Sequence, residues 1–333
     1  MEAIQNKIKG VIVGCGKIAG IFDKREKRPS ADLYSYCSSI ANSKILKLEG
    51  CADIDLNKAK KLAAQFEIPK VSNDYVDLLN SIQPEFVIVA TPDETHFDIV
   101  KRILSLKKAP SLIIVEKPVC LSMEQFKFLK NRVLEKKVNL IVNHSRRFDP
   151  RFQDFKEKIT TSRFGDLFRL DLFFYGNWNK NGIHLMDTIA FLMGDKIDLE
   201  FLKISKKRIK LKKTNWIDLS LNFGEHFIVN IHHNPEKFYQ IFEMDFKFEK
   251  GRVLFKDFEN KVSIEEKKIN YLHENILEQS KLKFSPKKKS NMVLLIKEAE
   301  NFFNKKTNLD KYSINQSDLT MNLFFKIFPY YED

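Results

Sequence analysis

Five short apolar runs punctuate the first 145 residues: KGVIVG (9–14), ILKLEGCADI (45–54), EFVIVAT (85–91), SLIIVEK (111–117) and VNLIVNH (138–144). Successive side chains of a strand face opposite ways, so runs this apolar must be covered on both faces. Between them lie segments with helical spacing: NKAKKLAAQF (57–66), DYVDLLNSI (74–82), HFDIVKRILSL (96–106) and SMEQFKFLKNRVLEKK (122–137). Ser122 with Gln125 three residues on is a capping-box signature for the last of these. Strand and helix in alternation, with doubly buried strands, predict an α/β unit with a parallel sheet covered on both sides.

The texture changes after residue 146. FRLDLFFYG (168–176), WIDLSLNFG (216–224), HFIVNIHH (226–233) and YQIFEMDFKFEKGRVLFKDF (239–258) follow one another with two-residue alternation, which predicts a mostly antiparallel sheet. One helix is expected over 182–194 and two more over 289–305 and 316–328, with SPKKKS (285–290) as a polar linker. The expected division is a parallel α/β domain over 1–145 and an α+β domain over 146–333, built on a large open sheet. Aromatic residues at alternating strand positions would leave that sheet an apolar face needing a cover, so a homodimer or homotetramer is expected.

Composition narrows the function classes. With 29 phenylalanines the interior should be Phe-rich. The 57 basic and 44 acidic residues give a net charge of +13, but lysine is spread through the chain and mixed with acidic residues. That pattern reads as a solvated surface or as a functional basic field, and no zinc-finger, recognition-helix or RNP-like motif points to nucleic acid. Cys15, Cys37, Cys51 and Cys120 show neither a CxxC pair nor disulfide-like spacing, which suits a reducing, cytoplasmic setting. No apolar run approaches the ~18 residues that would suggest a membrane span, and no metal is expected.

VIVGCGKIAG supplies Gly14, Gly16 and Ala19, the G-x-G-x-x-A form, directly after the first strand, with Lys17 and Ile18 inside the turn. Gly14 would permit the tight turn, Gly16 would let a pyrophosphate approach the backbone, and Ala19 would allow close helix packing. The second strand ends at Asp53, whose carboxylate would accept from an adenosine ribose and disfavour a 2′-phosphate, so NAD is expected over NADP. Asp53 lies 34 residues after Ala19, where about 20 is usual. An insertion over 22–34, FDKREKRPSADLY, accounts for the excess. A cap for the following helix is the other reading of Asp53, although Asp55 suits that role better.

Ligands of doubly wound sheets sit beyond the carboxyl ends of the strands. Here those ends carry ATPDETH (90–96), EKP (116–118) and NHSRRF (143–148), so three polar clusters converge on one edge. Together with GCGKIAG, CADID, VEKPVCLS, NHSRRFDPRF and NGIHLMDTIAFLMG, they make the chain resemble the Gfo/Idh/MocA family of oxidoreductases over nearly its whole length. The resemblance implies an NAD-dependent enzyme that moves a hydride between a sugar or nucleotide-sugar CH–OH carbon and nicotinamide. It also implies a doubly wound Rossmann first domain, and a second domain whose open sheet forms oligomer contacts.

Residue by residue, the resemblance places Gly14, Gly16, Ala19, Asp53, Thr91, Pro92, His96 and Glu116 around the cofactor. It makes Lys117 and His184 the proton-transfer pair, with Asp187 one turn further on to orient the histidine, and puts Arg147 near cofactor or substrate. Many members carry aspartate four residues before the histidine; here that position is Lys180, beside Asn181. The variant resembles an N-G-x-H branch met in bacterial surface-sugar pathways. Either the Lys180 ammonium faces an anionic substrate, or NWNKNG is a mobile loop with the lysine in water. A non-catalytic NAD-binding sensor or subunit of the same fold is the alternative function.

Overall fold

In the computed structural model, which describes residues 7–20, 33–211 and 213–332, the apolar runs become one six-stranded parallel sheet. In chain order the elements are β1 (Ile8–Val13), α1 (Tyr36–Ala41), β2 (Leu46–Ala52), α2 (Leu56–Phe66), β3 (Lys70–Ser72) and α3 (Tyr75–Ile82). They continue with β4 (Phe86–Val89), α4 (His96–Leu104), β5 (Leu112–Val115), α5 (Met123–Lys136) and β6 (Asn139–Val142). The strand order β3-β2-β1-β4-β5-β6 reverses direction between β1 and β4, which opens a crevice at their carboxyl ends. β4 and β5 are buried along their whole length, as strands covered on both faces must be. β3 has no counterpart among the expected strands, since three half-exposed edge residues leave no apolar signature.

The helix expected directly after the glycine turn is divided. Residues 17–20 form a turn, and α1 begins only at Tyr36. Yet the Tyr36 N–H donates to Ile18 O at 3.1 Å and the Cys37 N–H to Ala19 O at 2.9 Å. The first amides of a helix normally lack acceptors; here the turn supplies them, so the ladder passes from 18–20 to 35–37 and skips 21–34. Without those residues, Ala19 and Asp53 stand about 20 positions apart, the ordinary dinucleotide-binding spacing. Apart from Leu33 and Tyr34, the expected insertion 22–34 lies outside the described residues.

The chain divides into two compact units, and a single break at 145/146 does not describe them. Residues 287–318 group with 1–149, while 150–286 and 319–333 form the other unit. The returning segment packs apolar side chains of α8 (Asn291–Phe303), including Leu295, Ile296 and Ala299, into the core of the first unit. Polar contacts support it: Ser43 Oγ donates to Glu300 at 2.6 Å, and Arg147 donates to Gln316 O at 2.9 Å.

The second unit contains α6 (Pro150–Thr160), β7 (Leu167–Tyr175), α7 (Ile183–Met193), β8 (Leu202–Leu211), β9 (Thr214–Phe223) and β10 (Ile228–Asn234). It continues with β11 (Glu243–Phe248), β12 (Gly251–Lys256), β13 (Lys261–Ile269) and β14 (Asn275–Gln279), and ends with most of α9 (Asp318–Ile327) and with α10 (Pro329–Glu332). The eight strands lie in the order β14-β13-β12-β11-β7-β10-β9-β8, antiparallel except at β7–β10. Its core is phenylalanine-rich, as expected. Phe155 of α6 meets Phe246 at 4.9 Å, Phe284 at 5.3 Å and Phe255 at 5.7 Å, with Phe164 and Phe248 beyond.

The other face of this sheet is not the apolar surface that the alternation suggested. A polar ladder crosses six strands. Ser220 donates to Asn230 at 3.0 Å, and Asn230 donates to Asp171 at 2.7 Å. Lys247 pairs with both Asp171 and Asp245, Arg252 forks onto Asp245 at 2.7 and 2.9 Å, and Glu265 closes the row on Arg252. Leu170, Leu172 and Phe174 of β7 and Met244 and Phe246 of β11 are buried, whereas Phe173 and Tyr175 of β7 are only half-buried. A subunit packed on the outer face would therefore meet ion pairs across the middle rows.

Burial pushes the Asp171 carboxyl up, but hydrogen bonds from Lys247 and Asn230 outweigh it and hold the group below its usual range. Unfolded, the group titrates near ~4, so its contribution is complete above that pH and is lost as pH falls through the lower folded value. Asp245 is 8% exposed, whereas Lys247 and Arg252 are each about a third exposed. Asp245→Ala should cost about 2 kcal/mol, less than the ~3–5 of a fully buried pair, because both stranded cations reach water. Urea midpoints at neutral pH check this, and those of the unsubstituted chain should fall between pH 5 and 3.

Candidate active site

β1 and β4 end beside one another in the crevice. There a cavity of about 490 Å³ is lined by Gly14, Gly16, Asp53, Thr91 and Pro92, together with Ile54, Lys58, Asn73 and Tyr75. Gly14 has φ +94°, and a Cβ there would stand 2.4 Å from Ala90 O, so the turn requires glycine. Nothing lies within 4 Å of a Cβ built on Gly16, which leaves open space against the backbone. A pyrophosphate fits such a cradle, and these residues suit a dinucleotide. Lys17 is exposed, Ile18 is half-buried, and Ala19 is packed away at the root of α1.

Asp53 and Asp55 divide the two roles weighed for Asp53. Asp55 caps α2, accepting the Asn57 N–H at 3.0 Å. Asp53 Oδ2 accepts the Cys15 N–H at 2.8 Å, and Oδ1 accepts the Asp55 N–H at 2.9 Å. Two backbone amides thus fix the carboxylate at the cavity wall, and each oxygen keeps a second lone pair.

The end of β5 is tied down from two sides. Glu116 Oε1 accepts from the Tyr36 hydroxyl at 2.7 Å and from Asn143 Nδ2 at 2.7 Å, and Asn143 also lies 3.0 Å from the Tyr36 oxygen. Burial, with the Glu116 carboxylate beside it, pushes the Tyr36 phenol well above its ordinary range, so it stays a donor. Lys117, half-buried, follows directly on this anchored residue, and the Lys117–Pro118 peptide is cis. Neither Tyr36 nor Asn143 was singled out from the sequence. Asn143 sits in the polar cluster ending β6, but Tyr36 reaches the site only because the ladder skips 21–34.

His96 stands between the same two clusters. Its Nδ1 lies 2.6 Å from Pro118 O and its Nε2 lies 2.8 Å from Thr91 O. Carbonyls only accept, so the neutral ring donates to one of them at a time and the protonated ring to both. At 0% exposure the ring is enclosed, and His96 ties the Thr91 loop to the lysine-bearing strand end. Arg147, expected near cofactor or substrate, is 5% exposed and spends a guanidinium nitrogen on Gln316 O.

The remaining residues belong to the second unit. A π-helical turn over Trp178–Gly182 runs straight into α7, so most of NWNKNG is helical. Lys180 is exposed on that turn, and Asn181 donates to Tyr175 O at 2.7 Å. From Ile183 to Ala190 every residue is buried except half-buried His184. Asp187, 2% exposed, accepts from Thr320 at 2.9 Å and so links α7 to α9. Lys117 and His184 lie in different units, each held by its own surroundings.

Among the described residues no cluster of His, Cys, Asp and Glu could hold a metal ion, and no helix is long and apolar enough to cross a membrane. Residues 8–144 match the GFO_IDH_MocA profile, described as an oxidoreductase family with an NAD-binding Rossmann fold. A scyllo-inositol 2-dehydrogenase (NAD(+)) of Bacillus subtilis is 34% identical over 108 residues, 32% of this chain and 31% of that protein. The chain spans about a third to a half of the length of the curated relatives it matches. A dehydrogenase from Chromobacterium violaceum superposes with a TM-score of 0.74 at 16% identity, covering 98% of this chain and 96% of that one. The WlbA dehydrogenase of Bordetella pertussis, solved with NADH and UDP-GlcNAcA, superposes with a TM-score of 0.72 at 14% identity, covering 98% and 97%. Likeness at that identity shows the fold. With its glycine-turn crevice, its parallel sheet and the profile match over 8–144, the first unit is similar to the NAD-binding Rossmann part of the Gfo/Idh/MocA oxidoreductases.

Proposed function

We propose that the chain is an NAD(H)-dependent oxidoreductase that moves a hydride between the CH–OH carbon of a sugar or nucleotide sugar and nicotinamide, in surface carbohydrate metabolism. The observation that carries this reading is the edge of the parallel sheet. A glycine cradle walled by a fixed Asp53 lies at one pair of strand ends, and a lysine on an anchored strand lies at the next. When bound, the dinucleotide supplies the hydride donor or acceptor. Gly14 and Gly16 offer backbone to its pyrophosphate, Asp53 accepts from its ribose hydroxyls, and Thr91 and Pro92 border it. Lys117 Nζ and the His184 ring hold and move the hydroxyl proton, because a carbinol releases hydride readily only as that proton leaves. Exposed Lys180, one turn before His184, supplies positive charge for an anionic substrate.

Three measurements test this reading. Asp53 should repel a 2′-phosphate, so NAD should bind roughly ten- to a hundred-fold more tightly than NADP by calorimetry. Asp53→Asn keeps the shape and removes the charge, and should bring the ratio close to one. Lys117→Ala and His184→Ala should each cut kcat by ~10²–10⁴ on a reactive sugar while NAD binds as before. If no sugar or nucleotide sugar is turned over although NAD binds, the chain is a dinucleotide-binding protein without this chemistry. Tyr36→Phe removes one donor to Glu116, a charged hydrogen bond worth ~1.5–3 kcal/mol. It should lower kcat about tenfold with NAD affinity unchanged; equal kcat would release Tyr36 from a positioning role.

A further inference from the structure

The second unit holds a cavity of about 450 Å³ that the proposed chemistry leaves unused, within the ~300–1,000 Å³ range of small-molecule sites. Its walls include Arg208 and Lys210 of β8, Asn215 and Ile217 of β9, His233 of β10 and Tyr331 of α10. Arg208 pairs across the sheet with Ile217 and Lys210 with Asn215, and the two-residue repeat keeps 206, 208 and 210 on one side. Lys206 in that row lies 6.0 Å from the ring centre of Tyr330, so this is the side that α10 covers.

The chemistry of the walls is one-sided. Among the described residues neither Arg208 nor Lys210 has a carboxylate within ion-pair distance. The Tyr331 hydroxyl is buried with no hydrogen-bond partner. Burial, helped by the Asp218 charge, pushes that phenol far up, so it is a donor at any working pH. His233 Nε2 lies 3.0 Å from Gly176 O and so carries a proton, while burial lowers the ring's pKa. Asp218 is the carboxylate that acts on this group, and its oxygens face His232 Nδ1 at 3.3 Å and the His233 N–H at 3.1 Å. A guanidinium, an ammonium, a phenol and an amide therefore line one cavity, with no carboxylate among its described lining residues.

We propose that this cavity binds the phosphate or diphosphate of an ester substrate, either a sugar phosphate or a nucleotide sugar. It is joined to the turn that precedes His184. Gly176 O holds His233, while the preceding carbonyl, Tyr175 O, holds Asn181. Trp178, the first residue of that turn, stacks on Tyr331 at 4.3 Å. Anchoring the phosphate here sets the sugar beside Asn181 and His184. The substrate class rests on the hydride-transfer reading, whereas the binding does not.

The test is calorimetry on the full chain saturated with NAD, using UDP, glucose 6-phosphate, inorganic phosphate and glucose. The phosphate-bearing probes should bind and glucose should not. The stronger of UDP and glucose 6-phosphate then shows which kind of ester is taken. The double change Arg208→Ala, Lys210→Ala should weaken phosphate-probe binding on the order of tenfold or more, and Tyr331→Phe by several-fold. The charge-matched pair Lys203→Ala, Lys207→Ala, on the opposite face of the same strand, should leave it unchanged. Phosphate probes that bind no better than glucose overturn the inference. So do equal losses from the two double variants, because net charge alone would then explain the binding. Phosphate binding without turnover keeps the site and removes the proposed activity, and turnover of free sugars without phosphate binding does the reverse.

Discussion

A strand buried on both faces can carry polar chemistry only at its ends. β4 and β5 are such strands, and this constraint arranges the whole first unit. Glu116, Lys117 and Pro118 stand where β5 leaves the sheet, and Thr91 and Pro92 stand just past the end of β4. A charged pair at the end of an apolar strand costs little there, because it emerges into a crevice. Its position is also stiff, since the strand beneath it is held along both edges by parallel neighbours. The Glu116 carboxylate adds a further hold by accepting from Tyr36 and Asn143.

Tyr36 joins two parts of the site that are distant in sequence. Its backbone N–H belongs to the ladder continuing from the glycine turn, and its hydroxyl belongs to the Glu116 network. A shift of the turn over 17–20 would therefore reach β5 through a single side chain, without moving the sheet. His96 couples the strand ends in the same way, joining the Thr91 and Pro118 carbonyls through one buried ring. The strand ends are cross-braced, and loop conformation at one is felt at the next.

What could be read from the sequence follows physical range. Gly14, Gly16 and Asp53 are legible because their job is local: a turn, an open approach and a strand-end charge. The doubly wound sheet is legible because five apolar runs alternate with four helical patterns. Tyr36 is not, because its place depends on hydrogen bonds across a skipped segment that no periodicity records. The return of 287–318 to the first unit is hidden for a similar reason, since α8 is an amphipathic helix that would suit either unit. β8 and β13 escape notice because KISKKRIK and SIEEKK are dominated by charge. The polar outer face was misjudged because aromatic alternation on β7 marks Phe173 and Tyr175 but gives no sign that Asp171 would recruit Asn230 and Lys247.

The excess positive charge is also unevenly placed, and its placement separates two uses of lysine and arginine. In the middle of the large sheet Lys247 sits between Asp171 and Asp245, and Arg252 between Asp245 and Glu265, so those cations are neutralised where they stand. On β8, an edge strand, neither Arg208 nor Lys210 meets a carboxylate among the described residues. Lysine on an edge has an ordinary purpose, since it discourages pairing with another chain. That purpose accounts for Lys203 and Lys207 on the outer side. Arg208 and Lys210 are exposed as well, but they share the inner side with an unpartnered buried phenol. Edge protection needs charge in water, not a hydroxyl left without a partner beside it. The two together describe a place where an anion completes the structure.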